Sequence, residues 1–135
     1  MLVDDEAMVI DVGKQILEAL GYKVITACSG PEALELLEKD KYLVEMVILD
    51  MIMPGMSGSE TFDRLRDLNP KIKTLLSSGY SLDGQAADIL KRGCNGFIQK
   101  PFDLNKLSLK MREILDVKLC CFSWKWRIRL LELVG

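Results

Sequence analysis

Four of the five short apolar segments that read as strands run straight into polar residues. Asp4 and Asp5 follow residues 1–3, Asp50 follows 44–49, Ser78 follows 73–77 and Lys100 follows 96–99. If a fold gathered these ends, three carboxylates would raise one another's pKa values unless a cation lay between them. An all-oxygen set of this kind suits Mg2+, which keeps several waters and lets a substrate phosphate complete its octahedron. Lys100 would add a compact ammonium able to hold a phosphoryl oxygen, and Ser78 a hydroxyl able to donate to one. Each residue also has an ordinary reading. Asp4 or Asp5 could cap a helix beginning near Glu6, Asp50 could be a strand-end carboxylate, Lys100 a surface lysine beside a proline, and Ser78 a turn serine before Gly79.

The intervening segments supply the means of gathering. Val9, Val12, Ile16 and Leu20 recur at helical spacing, as do Phe62, Leu65 and Leu68, then Ala86, Ile89 and Leu90, and finally Leu104, Leu107, Met111 and Ile114. With a further strand at 23–26, segments of two periods alternate along the chain, the pattern of a parallel sheet covered by helices. Gly21 sits where a helix would end, Ser29-Gly30-Pro31 opens the next, and Asn69-Pro70 stops the third. Five βα units with right-handed crossovers give a doubly wound α/β sheet whose ligand crevice lies beyond the carboxyl ends of its strands. The polar residues all stand at those ends. Pro54, Gly55 and Gly58 predict a tight turn after Asp50, where backbone passes close to the site.

Composition narrows the classes. The 135 residues are 49% hydrophobic, enough for one domain with its own core. Eighteen basic residues against 20 acidic ones give a net charge of -2, which argues against nucleic acid as a direct partner. Histidine is absent, which removes imidazole bases, His-containing metal sites and any phosphohistidine that the chain could make on itself. Cys28, Cys94, Cys120 and Cys121 show no CxxC spacing and read as reduced thiols. No apolar run approaches the roughly 18 to 20 residues of a membrane span and no leader pattern precedes Asp4, so a soluble cytoplasmic domain is expected. The first strand falls short of the usual five or so residues, the mark of either a fragment of a longer chain or a late start.

Four motifs, in order, resemble the receiver domain of bacterial two-component response regulators. Val3-Asp4-Asp5-Glu6 is similar to its acidic pair, and Val47-Ile48-Leu49-Asp50-Met51-Ile52-Met53-Pro54-Gly55-Met56-Ser57-Gly58 to its phosphoacceptor strand and loop. Leu76-Ser77-Ser78-Gly79-Tyr80 and Gly96-Phe97-Ile98-Gln99-Lys100-Pro101-Phe102 resemble its switch and lysine motifs. The resemblance covers residues 1–116 and implies a flavodoxin-like sheet of five parallel strands, order 2-1-3-4-5, with helices on both faces. It further implies a phosphoacceptor signalling domain and not an enzyme. Asp50 would receive the phosphoryl group on a carboxylate able to attack phosphorus in line. Asp5 and Asp50 would ligate Mg2+ directly, the Ile52 backbone carbonyl would be a third protein ligand, and Asp4 would act through water. Lys100, before a cis Pro101, would hold a phosphoryl oxygen. Ser78 would draw its loop toward the site, with Phe97 either moving from exposed to buried behind it or serving as plain core packing. Ser77, one residue earlier, points away from Ser78's direction. Ile52, bordering the acceptor, has no side chain to position hydrolytic water, which implies slow dephosphorylation.

The same resemblance names partners. A sensor histidine kinase or a phosphotransfer domain would donate the phosphoryl group, and an output partner or a second copy would meet the face running from Leu82 to Leu115. The chain could stand alone or be the receiver module of a hybrid sensor kinase. Residues 117–135 lie outside the resemblance. They carry Lys118, Lys125, Arg127 and Arg129 against Glu132 alone, and Trp124 to Leu130 alternates apolar and basic residues as an amphipathic strand does. Docking edge, swapped strand, membrane-surface contact and plain extension are the readings of this tail, membrane contact being the least favoured. Two rival functions stay open for the domain: an unphosphorylated interaction module of the same architecture, and a Mg2+-dependent phosphohydrolase using Asp50. The second is weakened because Ile52 stands where the expected second acid would be.

Overall fold

The computed structural model describes residues 1–39, 43–80, 82 and 84–116. Five parallel strands, β1 (Leu2–Val3), β2 (Thr26–Ala27), β3 (Met46–Asp50), β4 (Lys73–Ser78) and β5 (Gly96–Gln99), form one sheet in the order β2-β1-β3-β4-β5. Helices α1 (Ala7–Ala19), α2 (Gly30–Lys39), α3 (Gly58–Leu68), α4 (Gly84–Lys91) and α5 (Leu104–Asp116) join them. The architecture is the flavodoxin-like doubly wound sheet expected from the sequence. The tail at 117–135, with its docking, swapped-strand and membrane readings, lies outside the described residues.

Strand alternation divides the core in two. Val47 and Leu49 of β3 pack with Ala33 and Leu37 of α2, Phe62 and Leu65 of α3, and Ala86 and Ile89 of α4. Met46 and Ile48 point the other way, toward Leu17 of α1 and Leu107, Met111 and Ile114 of α5. Because both faces are covered, β3 is buried at every residue, as a central parallel strand must be. The chain order reverses between β1 and β3, which opens a crevice at their carboxyl ends.

Two elements depart from the periodicity. The second strand occupies Thr26–Ala27, not 23–26, because it lies at the sheet edge and β1 reaches only Thr26 and Ala27 for pairing. In α1 the buried residues are Gly13 and Leu17, while Val12 is 51% exposed. The reason is steric: a Cβ on Gly13 would come within 2.7 Å of Leu2 Cδ2, so the helix seats on the sheet through its glycine. A count of apolar residues passes over that position.

Local chemistry sets the helix ends. Ser57 Oγ accepts from Glu60 N at 3.2 Å to start α3, Ser29 Oγ accepts from Glu32 N at 3.3 Å, and Gly21 takes φ +94° to end α1. Gly58, the first residue of α3, donates to the Met51 carbonyl at 3.0 Å. A Cβ there would lie 2.5 Å from the Asp50 carbonyl oxygen and 2.6 Å from Met51 Cα. Both are backbone atoms with little freedom to yield. Gly58→Ala is therefore expected to destabilise the fold by about 3 kcal/mol, the upper part of the range for overpacking, read as a fall in the denaturant midpoint. An unchanged midpoint would show that the acceptor loop gives way.

Candidate functional site

In a parallel sheet all strands end at one edge, and register decides which ends are neighbours. Val3 pairs with Leu49, so Asp4 emerges beside Asp50; Asp50 pairs with Ser77, and Ser78 with Gln99, so Lys100 emerges one residue beyond. Asp4, Asp50 and Lys100 share the parity of Leu2, Ile48 and Ile98, the residues turned toward α1 and α5. The Lys100 ammonium reaches across, 2.6 Å from Asp4 Oδ2 and 3.2 Å from Asp50 Oδ1. Asp5 completes the group: one oxygen each of Asp4, Asp5 and Asp50 lie within 4.8 Å of one another.

Burial makes this cluster electrostatically demanding. Asp4 and Asp50 are 1% and 4% exposed, while Asp5 faces solvent. Loss of hydration and the Asp4 charge push the Asp50 carboxyl from 3.8 up to about 6, against the opposing pull of Lys100. For Lys100, burial favours the neutral amine, but contact with Asp4 and the two carboxylate charges outweigh it and raise its pKa. One ammonium faces three acids.

Asp4 does more than pair. Its Oδ1 accepts from Glu6 N at 2.9 Å, so it ties down the entry to α1, although the N-cap residue is Glu6 and has no side-chain capping bond. Capping by Asp4 or Asp5 in the usual sense is thus not what the structure shows. Asp4 Oδ2 is buried without a hydrogen-bond partner among the described residues, its short contact with Lys100 being one of charge. Three carboxylates with one oxygen each inside 4.8 Å, two of them buried and sharing a single ammonium, fit a hard divalent cation, whose demand is for oxygen donors.

The other expected residues are placed as follows. Ile52 is 56% exposed just past Asp50, in the loop where Gly55 takes φ +77°. Ser78 is 3% exposed and its hydroxyl is turned onto its own loop, accepting from Tyr80 N at 3.1 Å. Its carbonyl accepts from Lys100 N at 2.7 Å, which couples the serine and lysine loops through backbone. Ser77, equally buried, lies opposite Asp50 in register. Phe97 is half-buried against the α2, α3 and α4 core cluster. Lys100-Pro101 is cis. Cys28 is exposed and Cys94 buried, both as free thiols.

Beside the cluster runs a groove of 540 Å³ lined by Met8, Val9 and Val12 of α1 with Gly79, Pro101 and Phe102, and Lys100 forms part of its wall. Sequence reasoning missed this surface. Met8 and Val12, 78% and 51% exposed, are spaced i, i+4 on one helical face, the only hint that the sequence carries. No helix among the described residues is long and apolar enough to cross a membrane.

The family model for the response regulator receiver domain matches residues 1–112. The chain belongs to that family. This receiver domain is 38% identical over 116 residues to the sensor kinase CckA of Brucella abortus, a stretch covering 86% of this chain and 12% of that protein. It spans 12%, 26% and 49% of the length of three curated relatives that it matches. Among solved structures, a receiver domain protein from Clostridium thermocellum superposes with a TM-score of 0.80 at 28% identity, covering 88% of this chain and 95% of that one. The CheX-CheY-BeF3-Mg2+ complex of Borrelia burgdorferi gives 0.80 at 25% identity, covering 84% and 86%. Receiver domains are signalling modules of two-component systems, and those systems join them to histidine kinases and to outputs.

Proposed function

We propose that this receiver domain accepts a phosphoryl group on Asp50 from the phosphohistidine of a sensor histidine kinase or phosphotransfer domain, with Mg2+, and changes conformation to control a partner. The observation that carries the reading is the Lys100 ammonium set between buried Asp4 and Asp50 inside a three-carboxylate cluster. The chain has no histidine, so the donor is another protein, another domain or a small phosphodonor.

Asp5 and Asp50 would hold the ion through carboxylate oxygens and Ile52 through its backbone carbonyl, with Asp4 acting through water. Bound there, the ion neutralises charge on the transferring group. The protein's own part is positioning. Deprotonated Asp50 attacks phosphorus in line, the bond from phosphorus to the donor imidazole nitrogen breaks, and an acyl phosphate forms. Lys100 holds a phosphoryl oxygen; Ser78, whose hydroxyl accepts from Tyr80 N, has a proton to donate to another. Drawing Ser78 inward moves the loop shared with Tyr80, and half-buried Phe97 fills the space behind it.

The apolar groove bordered by Met8 and Val12 suits the histidine-bearing helix of the donor, since it opens beside Lys100. An output partner or second copy would meet the face from Leu82 to Leu115, where Leu82 and Leu109 are 54% and 67% exposed. The likeness to a sensor kinase supports a place as the receiver module of a hybrid sensor kinase, with a cytoplasmic setting. Slow loss of the phosphoryl group follows from the apolar Ile52 beside the acceptor.

Beryllofluoride, a phosphoryl mimic, tests this without a donor. A complex is expected to form only when Mg2+ is present, seen as a new bound fluorine resonance and as shifts at Ser78 and Lys100. Beryllofluoride that binds equally well in chelator, or not at all with millimolar Mg2+, would leave an unphosphorylated interaction module as the better description.

A further inference from the structure

Opposite the acidic cluster, at the amino ends of the strands, the sheet has a gap. Leu2 stands between Thr26 and Ile48, which puts Met1 level with Ile25 and Val47. In the two rows below, Val24 with Met46 and Lys23 with Glu45, no strand lies between β3 and the residues leading into β2 among those described. A slot of 360 Å³ occupies the space, walled on one side by Leu17 of α1 and by Met111 and Leu115 of α5. Its inner end is where the Met1 amino group donates to the Met46 carbonyl at 2.7 Å. Lys23, Val24 and Val44 make no backbone hydrogen bond among the described residues. Flanking strands with one missing between them stand roughly 10 Å apart, too far to pair with each other and spaced for a third.

The side chains around the slot say what would fill it. Val24 and Met46 pack on the α1 and α5 side, whereas Lys23 and Glu45 are exposed. An extended segment there needs an apolar residue in the first row and a polar one in the second, a period of two. Apolar surface also shows at the mouth, where Ile25 and Leu43 are 39% and 74% exposed. Helix α5 delivers the chain to this place, since Leu115 lines the slot and the helix ends at Asp116. Nineteen residues follow, and within them Trp124, Trp126, Ile128 and Leu130 alternate with Lys125, Arg127 and Arg129. The seven residues from 117 to 123 span up to about 23 Å, enough to turn back from the helix end. Residues 117–135 contribute +3 to the chain's net -2, which leaves -5 on the domain that they would bind.

We propose that the slot is a strand-accepting site and that its occupant is the chain's own C-terminal segment, part of Trp124 to Leu130 entering as an extended strand between Lys23–Val24 and Glu45–Met46. The apolar side chains then lie against Leu17, Met111 and Leu115, while the basic ones reach solvent beside Glu45. The added strand brings backbone pairing to both of its neighbours. None of this depends on phosphate chemistry at Asp50.

The chain's two tryptophans are Trp124 and Trp126, so tryptophan emission from the full chain reports on this segment alone. Acrylamide is expected to quench it severalfold less in the folded chain than in urea. Leu43→Glu, at the exposed rim, and Leu115→Glu should each restore quenching toward the unfolded value while the far-ultraviolet dichroism stays native. If Leu115→Glu fails to fold, Leu43→Glu still decides. Hydrogen exchange supplies a second reading: Trp126→Asp should speed the amides of Lys23 to Ile25 and Val44 to Met46 by about tenfold and leave β4 unchanged. Tryptophans as open to acrylamide in the folded chain as in urea, or exchange at Lys23 to Ile25 untouched by Trp126→Asp, overturn the proposal. Shielding that survives the slot variants places the segment elsewhere and overturns it too. Shielding that disappears on dilution, together with a dimer by light scattering, assigns the slot to the tail of a second copy and overturns the chain's own tail as occupant.

Discussion

Asp50→Asn is expected to lose all labelling by a small phosphodonor, while the parent takes up one phosphoryl group that hydroxylamine removes, as it does from acyl phosphates. The substitution keeps the size and shape of the side chain but replaces the attacking oxygen with an amide that has no nucleophilic anion. The fall should therefore reach background, beyond on the order of a hundredfold. Asp4 and Asp5 remain in the variant as possible substitutes, but Asp4 is held by Glu6 N and Lys100, and Asp5 faces solvent. Intact-mass measurement after treatment with Mg2+ and donor reads the result. Label retained in Asp50→Asn would move the acceptor elsewhere and undo the assignment.

The same substitution is expected to stabilise the domain in divalent-free buffer above pH 6. Burial and the neighbouring Asp4 raise the Asp50 pKa from 3.8 to about 6 in the folded chain, a difference of about 3 kcal/mol between ionised and neutral forms. Below 3.8 both folded and unfolded chains hold the proton, so the carboxyl adds no penalty. Between 3.8 and about 6 the unfolded chain releases its proton first and stability falls as pH rises; above about 6 the whole penalty is present. Asparagine never ionises and escapes it. Denaturant melts of parent and variant at pH 4.5 and pH 8 should thus differ by about 1 kcal/mol at the lower pH and by up to about 3 kcal/mol at the higher. Millimolar Mg2+ should narrow the gap by stabilising the parent. A gap as large at pH 4.5 as at pH 8 would mean that the carboxylate is not strained by its surroundings.

Much of the architecture was legible because each element announced itself locally. Asn69-Pro70 ended α3 and Gly21 ended α1 by backbone chemistry that needs no neighbour. Ser57 and Glu60 even spell the S-x-x-E cap of α3, of which the Ser57 half is made. What misled was periodicity taken as burial. Val12 fits the stripe of α1 yet stands in solvent, because Gly13, which no hydrophobicity count favours, is where helix meets sheet. The second strand lies later than the apolar run at 23–26 because an edge strand ends where its neighbour β1 ends.

Residue identity and order settled the fold class, the strand-end positions of Asp4, Asp5, Asp50, Ser78 and Lys100, and the kind of chemistry they could share. These follow from local propensity, alternation and chain topology, all written along one dimension. Distances across the sheet were settled in three dimensions. Lys100 bridges Asp4 and Asp50 because register, not spacing, made them neighbours. Asp50 holds a raised pKa because desolvation belongs to the packed interior. Arg92 finds Ser59 and Asp63, some thirty residues away, because α3 and α4 lie side by side on one face, and no pattern in the chain pairs an arginine with a particular aspartate before the helices pack.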